Sequence, residues 1–424
     1  MRILFITQWY PPEPVTLPGE LAESLVALGN EVTVLTGFPN YPYGKTYSGY
    51  PQRPWLIEMV NGVRVVRAPL YPDHSRSACL RAIHYISFLF SAIIVGLLKC
   101  QRPDVIHVMS PPIPVGMAGW TLATLWRRPY TLEIVDMWPE TLVATGMLHN
   151  QKALALVGRV CDWLHHRAAA IRVITPGFRS NLISKGVSPA KVRVIHCWAN
   201  TESLKPVSPS LATGRQLGFE GRFTVMFAGT IGLAQGLDVV LDAAALLRDI
   251  PNVQFVLVGD GLDTARLRQR AEDEGLGNVR FLGRFPADRM PELYALADVL
   301  LVHLRDHPLF RITIPHKVLA YLASGKPILA AVEGDTADLV LCTHAGLSCP
   351  SGDPAALAKA VRELAKMSPD ARRSMGANGR EAACNSYSRH HLVGQVLAML
   401  KDVTQNRAPE GSTATAVTSA ERSA

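Results

Sequence analysis

The sequence contains no C-x-x-C pair, although it carries seven cysteines. Cys79, Cys100, Cys161, Cys197, Cys342, Cys349 and Cys384 are scattered and odd in number. That pattern argues against a disulfide framework or a zinc site and favours a reducing cytoplasm. Charged residues are scarce, 18% against 48% hydrophobic ones, so the 424-residue chain is core-rich and not a disordered polymer. No uninterrupted apolar run reaches the roughly 18–20 residues that a bilayer crossing requires. The opening Met1-Arg2-Ile3-Leu4-Phe5-Ile6 is also too short for the core of a secretory leader. No G-x-G-x-x-G follows this first apolar segment, which disfavours a dinucleotide-dependent oxidoreductase. The net charge is +8, yet the basic residues are dispersed and lack interleaved aromatics. Nucleic acid therefore fits less well than a small anionic ligand or an acidic leaflet.

What is present is a regular alternation. Apolar, strand-like segments occur at Ile3–Trp9, Glu31–Thr36, Gly62–Arg67, Val105–Met109, Tyr130–Val135, Ile171–Thr175 and Val192–Cys197, with helical spacing between them, as over Gly19–Leu28. The alternation restarts at Phe223–Ala228, Val253–Val258, Val279–Leu282, Val299–Leu304 and Ile328–Val332. Near-continuous apolar strands separated by helices predict parallel sheets covered on both faces, hence an α/β protein of two Rossmann-like, doubly wound domains with a cleft between them. The expected division is a first domain over residues 1–200, a linker at Thr201–Gly214 and a second domain over 215–386. A helix over 387–404 is expected to pack back on the first domain, ahead of a disordered tail over 405–424.

Two stretches carry the chemistry. F-A-G-T-I-G-L-A-Q-G, Phe227 to Gly236, reads as a strand, a glycine-rich turn and a helix start. Such a turn brings backbone N–H groups and a helix N-terminus to one anion. About eighty residues on, Asp306 to Val340 contains P-L-F-R-I-T-I-P-H-K and G-D-T-A-D-L-V. Together with F-P-N-Y-P-Y-G-K (Phe38–Lys45), P-D-V-I-H-V-M-S-P-P (Pro103–Pro112) and D-M-W-P-E (Asp136–Glu140), these segments resemble the family 4 retaining glycosyltransferases of the GT-B fold. The similarity is greatest to the branch that transfers N-acetylated amino sugars, of the N-acetyl-fucosamine type, in O-antigen or capsule assembly.

The resemblance implies a nucleotide-diphosphate donor, uridine-linked, held by the second domain, and a polyprenyl-diphosphate-linked glycan acceptor held by the first. No cofactor is implied. Charge that develops on the departing diphosphate calls for amides and cations aimed at its oxygens. Gly229, Thr230, Gly232, Gln235 and Gly236 are the candidate turn residues, and Arg311 and Lys317 are the candidate cations or else a solvated surface pair, since Lys and Arg are mostly exposed. Gln235 stands where many relatives place a lysine. Gly259, Asp260 and Gly261 resemble a turn lining the nucleotide side, although any strand-to-helix turn reads alike; Arg284 lies where relatives hold the base. Thr16 and Gly19 occupy the first strand-to-helix loop, which approaches the donor phosphates in such enzymes, without the double glycine of many relatives.

In the first domain Asp136 ends a strand and should face the cleft, where it takes the attacking proton or else caps a helix. Glu140 can accept from a hydroxyl, and Trp138 serves equally as core or as a stacking platform for the acceptor. His107, inside a strand, reads as a core histidine. Many members also carry two glutamates seven residues apart. Here those positions fall near Ile312 and at Ala320, and Asp338 is the acid left to take over part of the donor contact, while Asp335 reads as a helix cap.

No D-x-D triplet occurs, which disfavours a metal-dependent enzyme and leaves no expected metal site. A GT-B nucleotide-sugar 2-epimerase and a catalytically silent GT-B partner subunit are the alternatives. One segment stands apart: Tyr85–Leu98 is apolar for fourteen residues, with Arg76 and Arg81 before it and Lys99 and Arg102 after. It reads either as a helix buried against the sheet or as an interfacial element, which would make the protein peripheral on the inner face of the plasma membrane.

Overall fold

The computed structural model describes residues 1–75 and 77–405. Arg76 and all but the first residue of the tail expected over 405–424 lie outside the described residues. The first half forms an eight-stranded sheet from β1 (Arg2–Ile6), β2 (Glu31–Gly37), β3 (Leu56–Val60), β4 (Val63–Ala68), β5 (Val105–Ser110), β6 (Tyr130–Ile134), β7 (Ala170–Val173) and β8 (Val192–Val194). Its order is β3-β4-β2-β1-β5-β6-β7-β8. The second half forms a six-stranded sheet from β9 (Phe223–Ala228), β10 (Val253–Val258), β11 (Val279–Gly283), β12 (Val299–His303), β13 (Ile328–Ala331) and β14 (Gly346–Cys349), in the order β11-β10-β9-β12-β13-β14. All pairings are parallel except β3 with β4. Strands such as Ile3-Leu4-Phe5-Ile6 are buried on both faces because helices cover both, so their apolar runs have no polar alternation. These are the two Rossmann-like α/β domains expected.

Each sheet reverses its winding at its first strand: β1 lies between β2 and β5, and β9 lies between β10 and β12. The crevices that bind ligands in such sheets open beyond the carboxyl ends of those strands. The cleft therefore faces the loops after β1, β5 and β6 on one side and after β9, β10 and β12 on the other.

Several details differ from expectation. β3 and β14 are additional strands; both are short edge elements whose side chains are only partly buried, so they lack a strong apolar signature. The linker is not extended throughout. Helix Leu211–Gln216 begins inside it, because the Ser210 hydroxyl accepts from the Thr213 N–H at 3.2 Å and caps the first turn. Gln405, placed in the tail, is the last residue of the helix Arg389–Gln405. That helix packs on the first domain. Leu392, Val393, Val396 and Leu400 join one core with Ile3, Phe5, Leu21 and Leu25, and Arg193 pairs with Asp402 at 2.8 Å.

The first-domain helices that bear on the site are α1 (Leu17–Ala27), α2 (Ala78–Lys99), α3 (Ile113–Trp126), α4 (Glu140–Ala144), α5 (Gln151–Arg167) and α6 (Pro176–Ser184). The fourteen-residue apolar segment is the C-terminal part of α2, which runs for 22 residues and is long and apolar enough to cross a membrane by length and composition. The buried-helix reading holds for one face only. His84, Phe88, Ala92, Val95 and Gly96 face the core, whereas Ile83, Ile86, Phe90, Ile94, Leu97 and Leu98 are 44–63% exposed along the opposite face. Trp55, Ile57 and Met59 of the neighbouring β3 region are exposed as well, and the Lys99 Nζ lies 3.9 Å from the Trp55 ring centroid.

Candidate functional site

β9 delivers six buried residues and ends at Ala228, just before Gly229. Its last residue is fixed from the side, since the Tyr321 hydroxyl accepts from the Ala228 N–H at 2.9 Å and donates to the Ala228 carbonyl at 3.1 Å. The two glycine turns then lie backbone against backbone. A Cβ on Gly259 would sit 1.9 Å from the Gly229 carbonyl oxygen, and Gly229 itself has φ +143°. Only glycine permits that approach at both positions. The turns are also tied by hydrogen bonds, from Gly229 N–H to Val258 O at 2.9 Å and from Ile231 N–H to Asp260 O at 3.1 Å.

These bonds correct part of the sequence reading. The Gly229 amide is spent on the neighbouring turn, and the Gly232 amide donates to Gln235 Oε1 at 3.1 Å. Gln235 is therefore folded onto its own turn, with its carbonyl at 2.5 Å from His303 Nδ1, and does not extend into the cleft. Gly236 has φ +59° and packs under Arg305, while Gly261 lies against the Ile231 carbonyl. The glycines shape the floor of the pocket more than they supply free amides.

The cation comes from elsewhere. Lys317 follows Pro315 at the start of the helix His316–Ser324, beyond β12. Its Nζ lies 3.6 Å from the centroid of the Phe227 ring and would be 2.8 Å from a Cβ on Gly229. That ammonium is buried and has no hydrogen-bond partner among the described residues. Burial pulls its pKa down to about 7. A buried lysine with nothing to bond is costly unless an anion arrives. It lines a cavity of about 410 Å³ together with Thr230, Gly259, Asp260, Arg284 and Tyr294. Asp260 is held below its usual value, first by the Gly261 amide and then by Thr264, with Arg284 and Arg268 contributing.

Arg311 is not in this cavity. Its guanidinium is half exposed and already pairs with Asp306 at 2.9 Å and with Glu333 at 2.8 Å. Asp338 points to solvent from the helix Asp335–Cys342. Its neighbour Asp335 does cap a helix, but in the other domain: its Oδ2 accepts from the Gly177 N–H of α6 at 2.7 Å, next to a bond from Thr175 Oγ1 to Ile312 O at 2.7 Å.

On the first-domain side Asp136 lies just beyond β6. Burial raises its carboxyl above the usual value, against the opposing effect of the Thr141 hydroxyl, which donates to Oδ1 at 2.5 Å. Glu140 pairs through Oε1 with Lys185 of the loop after α6 at 2.5 Å, while its Oε2 is buried with no hydrogen-bond partner among the described residues. Trp138 is half-buried, edge-on to Tyr85 at 6.3 Å, in an apolar groove. Thr16 is exposed at the N-terminus of α1. Gly19 is buried, and a Cβ there would meet Pro11 at 2.9 Å, so packing explains this glycine without a ligand. His107 is a core residue: its Nε2 lies 2.9 Å from Glu133, which also accepts from Arg172 at 2.5 Å. Burial alone would raise the Glu133 carboxyl, but Arg172 and His107 outweigh it and hold it low.

Residues 15–198 match the model of the glycosyl transferase 4-like domain, and residues 213–382 match that of glycosyl transferases group 1. The chain is a GT-B glycosyltransferase. It is 28% identical over 81% of its length to a putative colanic acid biosynthesis glycosyl transferase, WcaI, of Escherichia coli, covering 86% of that protein. It is 26% identical over 74% of its length to a probable glycosyltransferase, WbjE, of Pseudomonas aeruginosa, covering 78% of it. Among solved structures, HepE of Anabaena in complex with UDP superposes with a TM-score of 0.72 at 19% identity, over 95% of this chain and 100% of that one.

Sequence reasoning missed several residues that shape the glycosyltransferase's cleft. Glu13, in the loop after β1, is buried and accepts from the amides of Tyr10, Asn40 and Tyr41 at 2.8–3.0 Å, which locks two cleft loops together. A lone acid between prolines gives no signal of that role. Tyr321 and Tyr294 were hidden because an apolar helix surface does not say which tyrosine hydroxyl finds a strand end.

Proposed function

We propose that this glycosyltransferase moves an N-acetylated amino sugar from a UDP-linked donor to a polyprenyl-diphosphate-linked acceptor, with retention and without a metal ion. We place it on the cytoplasmic face of the membrane, in cell-surface polysaccharide assembly. The observation that carries the donor half is the unpartnered, buried Lys317 Nζ at the glycine turns, a site built to receive a diphosphate. The UDP bound by HepE and the colanic acid assignment of WcaI support the nucleotide and the pathway class.

In the proposed reaction the bond from the anomeric carbon to the β-phosphate oxygen breaks ahead of bond formation, and the acceptor hydroxyl oxygen bonds to that carbon on the same face the phosphate leaves, as retention in a single displacement requires. The electron pair stays on the phosphate, where Lys317 meets the new charge, with Arg284 lining the same cavity. The hydroxyl proton passes to Asp136, whose raised affinity for protons suits a general base. The outward apolar face of α2, flanked by Arg81, Lys99 and Arg102, supports docking on an anionic leaflet.

The test is a screen of UDP-sugars with purified protein and short-chain prenyl-diphosphate glycans, with products read by mass spectrometry and the new linkage by NMR. Transfer with an unchanged anomeric configuration in excess EDTA is expected. Inversion, or turnover lost on chelation and restored by magnesium or manganese, would sink the mechanism.

A further inference from the structure

The groove that holds Trp138 extends well beyond that residue. It runs between α2, α3, α4 and α5 with a volume of about 420 Å³, within the roughly 300–1,000 Å³ of small-molecule sites. Met117, Leu142, Leu156 and Ile86 line it, and Arg81 is the one charged residue along it among those described. Its outer end merges with the exposed stripe of α2: Ile86 belongs to both, and Leu156 is 61% exposed. Its inner end is Trp138, two residues past Asp136, and Leu142 on α4, a helix that packs against Pro308–Arg311 of the second domain.

We propose that this groove binds the first isoprene units of the acceptor's polyprenyl chain and so measures the lipid into the cleft. The inference rests on the lipid-linked acceptor of the preceding reading. An apolar groove that merges with an apolar surface at one end and ends at Trp138, two residues from Asp136, at the other fits an elongated amphiphile, whose tail lies in the groove and whose head extends toward Asp136. A flat bilayer contact would account for the α2 stripe but not for a groove that leads inward to Trp138. Arg81 supplies the charge complement. Its guanidinium makes one hydrogen bond, to Met147 O at 3.3 Å, and has donors left for a phosphate at the junction of head and tail.

The test measures binding of farnesyl diphosphate, geranyl diphosphate and inorganic diphosphate to the full chain by calorimetry, with UDP saturating so that the donor pocket is filled. Affinity should rise about tenfold or more for each five-carbon unit added. Ala82→Trp, which fills the groove from an exposed position, and Leu156→Gln should each weaken farnesyl diphosphate about tenfold, with melting temperature and UDP affinity as controls for folding. Equal affinity for inorganic and farnesyl diphosphate, or no effect of either substitution, overturns the proposal. So does a dimer that these substitutions dissociate without changing farnesyl diphosphate affinity, because a second copy would then cover the groove. Groove-dependent prenyl binding without transfer to any prenyl-linked glycan would leave the groove assigned and remove the acceptor reading.

Discussion

The donor pocket of the second domain and the outer face of the first are built from opposite materials. Around Lys317 the chain uses short, strained turns, one buried cation and backbone-to-backbone contact, with Gly229 and Gly259 fixed by geometry that no other residue allows. Along α2 it uses plain helix, with Ile83, Phe90, Ile94 and Leu98 left in solvent and no single residue indispensable. One region binds through a charge that must be met, the other through area that must be covered. A point change should therefore be severe in the first and graded in the second.

The largest expected effect tests that contrast within the donor side. Lys317→Ala should lower kcat/KM for the donor tenfold to hundredfold, the equivalent of about 1.5–3 kcal/mol for a charge-assisted contact. Arg311→Ala should cost distinctly less, since its guanidinium is exposed and already shared by Asp306 and Glu333. Steady-state kinetics at limiting donor would separate the two, and equal losses would break the distinction drawn between a buried cation and a surface pair.

On the apolar side, Arg81→Glu combined with Lys99→Glu should weaken binding to anionic liposomes roughly thirtyfold or more, at about 1 kcal/mol per basic residue. Added salt should shrink the difference. Sedimentation with vesicles measures it, and wild-type binding by the double variant would remove the bilayer as the partner of this face.

The last effect is in pH. Free Lys317 loses its proton as pH rises through about 7, whereas a bound diphosphate would hold the proton on. The complex then carries more protons than the free enzyme above that pH, so UDP affinity should be level just below about 7, where the terminal phosphate (second pKa about 6) still keeps its charge, and fall about tenfold per unit above about 7. Lys317→Ala should flatten the profile. Calorimetry in buffers of different ionisation enthalpy would register the proton uptake, and a wild-type profile level to pH 9 would show that the ammonium stays charged in the empty pocket.

What could be read from the sequence follows the same divide. The sheets, the glycine turns and Lys317 were legible because each is encoded within a dozen neighbouring residues. Gln235 was misread because its side chain found a donor three residues away on its own turn, a choice that composition does not reveal. The ion pair of Glu140 could not be foreseen, because its partner, Lys185, lies on the far side of two helices and a strand. Asp335 was recognised as a cap but not as one for a helix of the opposite domain. The groove as such had no signature: Tyr85–Leu98 and Trp138 stood out singly, but nothing in the sequence brings the four helices that form its walls together.

The helix Arg389–Gln405 gives the glycosyltransferase an order of assembly. It completes a core that begins with Ile3 and Phe5, and at the crossing point the Ala199 amide donates to Tyr387 O at 2.8 Å. During synthesis the first domain must therefore wait, with Leu21, Leu25 and the outer faces of β1 and β5 uncovered, until the second domain has been made and the last helix emerges. Contacts between residues almost four hundred positions apart form late and expose apolar surface meanwhile. The ribosome-bound chain is thus most vulnerable to aggregation in the half that is made first.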